Sequence, residues 1–486
     1  MSASGLRRDS DAAAPPSGLV RTDEVFAGLE PARLGALERA HGNGDLVRVL
    51  EALGIAGPFV AVTPWELEGP AGERLINAGG YAALPFGEAY PPLVAFVARY
   101  LEANRWMGLP QQALSPWRGA LEANLVALLA REAPSHADSQ VFFSNSGAEA
   151  VETALKLVRA ARPGARYLIN FARAYHGKTL GALSLTPNEE FQAPFRPLLE
   201  GVVTLPYGDA QRLEDAVRKL GPDNVAGVIV EPVQGEGGVI TPPAEFLPAL
   251  ERLRQRYGLV VVADEIQTGL GRCGALFKAL AMGLEPDVIT LAKPLGGGLV
   301  PVGATLARRA IMARALGGLA SKRHSNTFGG GSLAMAVALK SLEIILDEDL
   351  PHRARVLGER GLARLEALQA RYPGLLRAVR GSGMLFALQL QPLLSPRTRL
   401  PQELVSQLGS ALALRALHRG GIHACYTLNS SRTVRLTPAL TMPESVFEAM
   451  LARLEEVARR TPQAWRLPLQ TPPHVLSGLA RLALKG

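Results

Sequence analysis

The sequence predicts an α/β protein whose main body is a largely parallel sheet covered by helices, followed by a smaller α/β domain. Three observations carry this expectation. From QVFFS at residue 140 to VGATLA ending at residue 307, short apolar runs alternate with helical stretches, the pattern of strand, crossover helix and strand that builds parallel sheets. The runs are rich in valine and isoleucine with no polar alternation, as strands buried on both faces are. The unusual residues among them fall at their carboxyl ends, where open sheets of this kind bind ligands.

Taken in order, residues 1–20 are polar and Pro/Ala-rich and read as a disordered tail. Residues 22–55 read as helices, with Leu34, Leu37, Val47, Leu50 and Leu53 at helical spacing. From Pro58 to Gly80 the chain turns strand-like, and Pro91 to Asn104 returns to an amphipathic helix. In the central third QVFFS gives way to a helix from Gly147, followed by RYLINF, GVVTLPY, a helix near Gln211–Leu220, VAGVIVEPV, a helix at Ala244–Tyr257, LVVVADEI, DVITLAK and VGATLA. A long helix begins near Ser332, and residues 350–460 alternate helices with the strands MLFALQL and RTVRL. The end, from Pro462, is Pro-rich and then weakly helical, and no internal repeat occurs.

With 486 residues, 48% of them hydrophobic, the chain can bury a large core and exceeds one ordinary domain. Its 52 basic and 44 acidic residues leave a formal +8, but no run of five or six like charges occurs. Short basic pieces such as Arg7-Arg8 and Lys322-Arg323-His324 lack interleaved aromatics, so nucleic acid is not an expected partner. The start has no apolar signal segment and no stretch is long enough to span a membrane. Two cysteines, Cys273 and Cys425, make neither a metal spacing nor a disulfide framework, and a reducing, cytoplasmic setting is expected with no bound metal.

Only eight lysines occur, and Lys293 alone ends a buried-type strand before a glycine run, Gly296-Gly297-Gly298. An amine there is desolvated, so its pKa falls and it is available for carbonyl addition. Asp264 ends the apolar run LVVVAD, where a buried carboxylate needs a cationic partner such as a pyridinium N–H. The two lie 293 − 264 = 29 residues apart, one strand–crossover–strand unit. At Ser144-Asn145-Ser146-Gly147-Ala148-Glu149 a strand passes into a helix, and Ser146 with Glu149 fits a capping box whose free amides can hold a phosphate. Tyr175, in Tyr175-His176-Gly177-Lys178-Thr179, can stack on a flat ring. Each feature has an ordinary structural alternative: a snorkelling lysine, a loop-capping aspartate, a plain helix cap, a packing tyrosine. Together, phosphate grip, ring stacker, acidic strand end and lysine describe one cofactor, pyridoxal 5′-phosphate.

The strings FFSNSGAEAVETALKLVRA, AYHGKTLGALSLT, EPVQGEGGV, ADEIQTGLGRCG, PDVITLAKPLGGGLVPVGA, HSNTFGGG and RLTPAL resemble the class III (ornithine/4-aminobutyrate type) pyridoxal-phosphate aminotransferases over roughly residues 58–460. The resemblance implies fold type I with a mainly parallel seven-stranded sheet. It also implies an N-terminal extension at 1–57, a segment at 58–105 serving the small domain and substrate entrance, a large cofactor-binding domain at 106–345, a small domain at 346–462 and a tail at 463–486. By the same resemblance Lys293 is the Schiff-base lysine, Asp264 the partner of the ring nitrogen, Gln267 a neighbour of the ring hydroxyl, Ile266 the residue under the ring and Tyr175 the one over it. Ser146, Gly147 and Ala148 bind the phosphate, and His176 and Glu231 complete the cofactor set. Thr327 is implied to reach the phosphate in the neighbouring subunit of a homodimer with shared sites. Arg435 corresponds to the substrate-carboxylate arginine, Glu236 to the glutamate that pairs with it when no carboxylate is present, and Tyr81 to a substrate-pocket position.

An arginine masked by a swinging glutamate lets one site take first an amine donor and then a 2-oxo acid. Lys178 stands where relatives using ornithine, acetylornithine or 4-aminobutyrate often have arginine, and the local text of PFRPLLEGVVTLPYGD, RGSGMLFALQL and YTLNSSRTVRLTPALT is most similar to the putrescine aminotransferases. The expected activity is therefore transfer of a terminal amino group to 2-oxoglutarate by a ping-pong route. Departures occur at Phe86-Gly87-Glu88-Ala89-Tyr90-Pro91, where many relatives carry a Gly-His-x-His-Pro turn, and at Gly331-Ser332, where they carry Asn-Pro. Two other readings use the same residues or fold: a racemase or aminomutase, which needs no amino acceptor, and a non-catalytic dimeric scaffold, whose usual mark is loss of Lys293 or Asp264.

Overall fold

The computed structural model describes residues 19–394 and 402–483. The chain divides into two compact units, Met1–Pro58 with Ser477–Gly486, and Phe59–Leu476. The tail expected over residues 1–20 lies, as far as residue 18, outside the described residues. In the first unit the expected helices form as Thr22–Phe26, Pro31–His41 and Gly44–Leu53. Asn43 caps the third, its Oδ1 accepting from Leu46 N at 3.2 Å. Gly54 ends that helix at φ 67°, where a side chain would be strained.

The second unit opens with the antiparallel strands β1 (Val60–Thr63), β2 (Glu66–Glu68) and β3 (Arg74–Asn77). The central body is a sheet of seven strands: β4 (Gln140–Ser144), β5 (Tyr167–Phe171), β6 (Val202–Leu205), β7 (Val225–Val230), β8 (Val261–Asp264), β9 (Val288–Leu291) and β10 (Gly303–Ala307). Their order is β4-β10-β9-β8-β7-β5-β6. The sheet is parallel except at β10, which runs antiparallel to both β4 and β9.

Side-chain alternation explains why these strands carry no charged residue until they end. Val228, Val230, Val261 and Ala263 face one way, against Phe246 and Leu250 of the helix Phe246–Tyr257. Ile229 and Val262 face the other, against Val151, Ala154 and Val158 of the helix Gly147–Ala161. Both faces are core, and each buried Val or Ile contributes about 1.5–3 kcal/mol. The strands are held rigidly, and their carboxyl ends become a fixed platform for the first charged side chains.

A second sheet follows. It uses β11 (Leu376–Ser382), β12 (Leu385–Leu390), β14 (Cys425–Tyr426) and β15 (Thr433–Leu436), and between them in sequence the short β13 (Ile422–His423) joins the β1–β3 sheet instead. The order is β11-β12-β15-β14, all antiparallel, while β13 pairs in parallel with β3. β12 and β15 are the two strands the sequence predicts here. β11 reads LRAVRGS and is buried only at its first residue, so it offers no apolar run to signal it. Beyond Pro462 the helices Arg466–Leu469 and Pro473–Ala483 form. No helix among the described residues is long and apolar enough to cross a membrane.

Candidate active site

Adjacent strands bring the two central residues together. β8 and β9 pair in parallel with Asp264 opposite Thr290, and Lys293 follows three residues later at the start of a tight turn, Lys293–Gly296. Asp264 is buried, and three donors converge on its carboxylate. His176 Nδ1 lies 2.6 Å from Oδ2, while Ile266 N and Thr290 Oγ1 reach Oδ1 at 3.1 and 3.2 Å. A carboxylate offers about four lone-pair sites, so one is left for a further cationic donor.

Among the described residues Lys293 Nζ makes no hydrogen bond or ion pair. Burial holds its ammonium below the ordinary lysine value, the positive Arg435 adds to this, and the Glu236, Asp264 and Glu231 carboxylates oppose it. His176 shows the opposite balance. Burial alone would lower its pKa, but the hydrogen bond and charge of Asp264, with Glu231 beyond, raise it.

The helix Gly147–Ala161 begins beside these strand ends. Ser146 Oγ accepts from Glu149 N at 3.2 Å, and Glu149 Oε2 accepts from Asn145 N at 2.6 Å. The expected capping box therefore forms one residue wider, on Asn145 rather than on Ser146 N. A Cβ at Gly147 would lie 2.9 Å from Ile266 Cδ1, and one at Gly177 would lie 2.7 Å from Ala148 Cβ. The absence of those methyl groups lets the Tyr175-His176-Gly177 segment and Ile266 close onto the helix start. Tyr175 N donates to Glu231 Oε1 at 2.9 Å, and Gly235 N donates to Oε2 at 3.2 Å. Burial pushes the Glu231 carboxyl up to about 7, with the His176 charge opposing.

A second charged pair stands across from this group. Arg435, fully buried on β15, bonds Glu236 Oε1 through Nη1. Gln267 bridges the two, accepting from Arg435 Nη1 at 2.9 Å and donating to Glu236 Oε1 at 3.0 Å. Leu428 N fixes the other Glu236 oxygen at 3.0 Å. Burial would raise the Glu236 carboxyl, but Arg435 first and Lys293 second outweigh it, and the glutamate is held below the ordinary value. Arg435 Nε and Nη2 have no partner among the described residues. The Tyr81 ring lies over the guanidinium, 6.0 Å from Cζ to centroid.

Two expected residues stand differently. Lys178 Nζ rests over the Phe191 ring at 4.0 Å, and no carboxylate partner for it occurs among the described residues. Thr327 is exposed, and its carbonyl accepts from Gln111 Nε2 at 3.0 Å. No contact among the described residues joins Thr327 to Lys293, Asp264 or Ser146 within one chain. Sequence reasoning missed Thr290 and Thr186, whose hydroxyls hold Asp264 and His176 N. The one signal for Thr290 was a polar residue inside an otherwise apolar strand.

An open carboxylate lone pair beside the His176-backed Asp264, a free desolvated amine and a glycine-opened helix start fit the aldehyde, ring nitrogen and phosphate of pyridoxal phosphate. Comparison with known proteins agrees. The family model described as aminotransferase class-III matches residues 66–458. A putrescine aminotransferase of Pectobacterium atrosepticum is 36% identical over 434 residues, 87% of each chain. An amine transaminase from an uncultivated Pseudomonas species, solved with the cofactor bound, is 29% identical with a TM-score of 0.74, covering 83% of this chain and 95% of its own. The ornithine aminotransferase of Toxoplasma gondii is 25% identical with a TM-score of 0.77, covering 91% and 99%.

Proposed function

The chain belongs to the class-III aminotransferases, pyridoxal-phosphate enzymes that move amino groups, and on that premise we propose that it transfers a terminal amino group from a diamine such as putrescine, or an ω-amino acid such as ornithine, to 2-oxoglutarate. The observation that carries this reading is the free, desolvated amine of Lys293, just past the end of β9, with the buried Asp264 carboxylate at the end of the neighbouring β8. The relatives that act on putrescine and ornithine support the choice of donor.

When bound, the cofactor supplies an aldehyde for the donor's nitrogen and a ring that draws electrons from the carbon being deprotonated. Ser146, Gly147 and Ala148 offer their helix-start amides to the phosphate. Asp264, oriented by His176 and Thr290, would hold the ring nitrogen's proton, and Tyr175 and Ile266 would supply the apolar surfaces for the ring. Glu231 braces the segments carrying Tyr175 and Gly235. Lys293 Nζ, whose ammonium form burial disfavours, would take the proton from the donor carbon.

Glu236 and Arg435 sort the two substrates. With Glu236 fixed by Leu428 N and Gln267, the arginine is neutralised and a carboxylate-free amine is accepted. The 2-oxo acid displaces Glu236 and takes Arg435 as a bidentate fork, using guanidinium nitrogens that otherwise lack partners.

The working unit is a homodimer in which Thr327 of each chain serves the other's phosphate site. Trp106, Met107, Leu114 and Phe328 are large apolar side chains at least 61% exposed. Bonds from Gln111 to the Thr327 carbonyl and from Ser332 to Met107 and Gly108 gather them beside Thr327. Such a cluster is suited to cover by a second copy.

The test is to follow the near-visible absorbance of the cofactor-loaded protein as putrescine, ornithine or 4-aminobutyrate is added without acceptor. Conversion to the aminated cofactor, reversed by 2-oxoglutarate, is the expected result. A band that no donor converts, with racemisation of an amino acid in the absence of any oxo acid, would replace this reading with an isomerase.

A further inference from the structure

Three successive residues, Gly80, Tyr81 and Ala82, hold φ of 74°, 53° and 64°. Tyrosine and alanine rarely adopt this left-handed region, and a run of three does not persist without outside support. Asn77 Oδ1 accepts from Gly79 N at 3.0 Å and Ala83 N donates to Gly80 O at 2.8 Å, and one further side chain spans the turn. The buried Thr437 hydroxyl accepts from Ala82 N at 3.3 Å and donates to Gly79 O, closing the turn from both ends. Thr437 N donates to Ala78 O at 2.7 Å, fixing the approach to the turn as well.

Thr437 lies two residues beyond Arg435, just past the end of β15. The turn it closes carries Tyr81, whose ring covers the Arg435 guanidinium. Cys425, which pairs with Arg435 across β14 and β15, also touches Tyr81. We propose that Thr437 is a positioning residue that locks Tyr81 to Arg435 and so sets how tightly the acceptor's carboxylate is gripped. This rests on the reading of Arg435 as the carboxylate-binding residue. Loss of the clamp lets the turn relax to ordinary dihedrals, moves the ring off the guanidinium and loosens the acceptor site, leaving Lys293 and Asp264 where they are.

Two readouts test it on the cofactor-loaded enzyme. Thr437→Val removes the hydroxyl at nearly constant shape, and Thr437→Ser restores it. Hydrogen exchange at the Ala82 amide should quicken in Thr437→Val and not in Thr437→Ser. The KM for 2-oxoglutarate should rise about tenfold in the valine variant, with kcat and the half-reaction of a carboxylate-free amine unchanged, and serine should restore it. If valine does not fold, Thr437→Cys keeps the volume and weakens the bond. Unchanged exchange at Ala82 overturns the clamp. Faster exchange with unchanged KM, or equal loss in both half-reactions, overturns its role in the acceptor site. A parent enzyme with no transaminase activity overturns the functional reading instead, whatever the exchange shows.

Discussion

His176 Nδ1 lies 2.6 Å from Asp264 Oδ2, with both side chains buried, so an imidazole holds the carboxylate at the end of β8 from behind. The Asp264 bond and charge, helped by Glu231, outweigh burial and raise the His176 pKa. Stability from this pair is therefore fully present below the ordinary histidine value of 6.5 and is lost as pH rises through the raised folded value. His176→Asn should lower the melting temperature most at acidic pH, with the gap to the parent closing as pH climbs. Asp264→Asn keeps the shape but removes the charge partner of the ring nitrogen, and kcat should fall on the order of 10²–10³. Retained kcat would remove Asp264 from the mechanism.

Lys293 carries a stability cost. Its folded pKa is depressed, so the unfolded chain binds more protons there than the folded one, and stability rises with pH across that interval. The cost vanishes above the unfolded lysine pKa of about 10.4 and is complete below the depressed folded value. Without cofactor, Lys293→Met should melt higher than the parent at pH 7, and the difference should shrink toward pH 10. A lower melting temperature at pH 7 would mean that the amine is not desolvated.

Much of this site was legible in the sequence, because strands buried on both faces admit charged side chains only where they end. That constraint marks Lys293 and Asp264 as candidates, and their joint order with the helix-start and tyrosine motifs singles them out. It does not say which strands are neighbours. The Asp264–His176 bond spans 88 residues and the Thr437–Gly79 bond 358, and both follow from a strand order that local alternation does not encode. The antiparallel return of β10 was likewise unsignalled, since a buried strand reads the same in either direction. Gln267, expected near the ring hydroxyl, is bonded to both Glu236 and Arg435, a role that depends on the second sheet's docking.

Glu236→Ala should unmask Arg435 permanently. Donors bearing a carboxylate beside the reacting amine should gain kcat/KM relative to putrescine, measured as a ratio of rates in single-donor assays. The variant also leaves a buried guanidinium unpaired, at a cost of about 3–5 kcal/mol, visible as a lower denaturation midpoint. An unchanged donor ratio would mean that Glu236 does not act as a gate.

Arg435→Lys tests the other half. A lysine cannot form the planar fork, so the KM for 2-oxoglutarate should rise by about 10²-fold while the half-reaction with a carboxylate-free amine is largely kept. Equal losses in both half-reactions would place Arg435 in the general architecture of the site rather than in acceptor recognition.

Shared sites predict complementation. Lys293→Ala and Thr327→Ala homodimers should each be impaired, and refolding them together should restore activity, since one site of each mixed dimer then has native Lys293 and native Thr327. No gain on mixing, with mixed dimers shown to form, would place Thr327 outside the partner's site.

The most direct test of the central claim is to reduce the cofactor-loaded protein with borohydride and map its peptides by mass. The cofactor should be found covalently fixed on Lys293 and on none of the other seven of the chain's eight lysines. A fixed cofactor on another lysine, or a loaded protein with none fixed at all, would contradict the account.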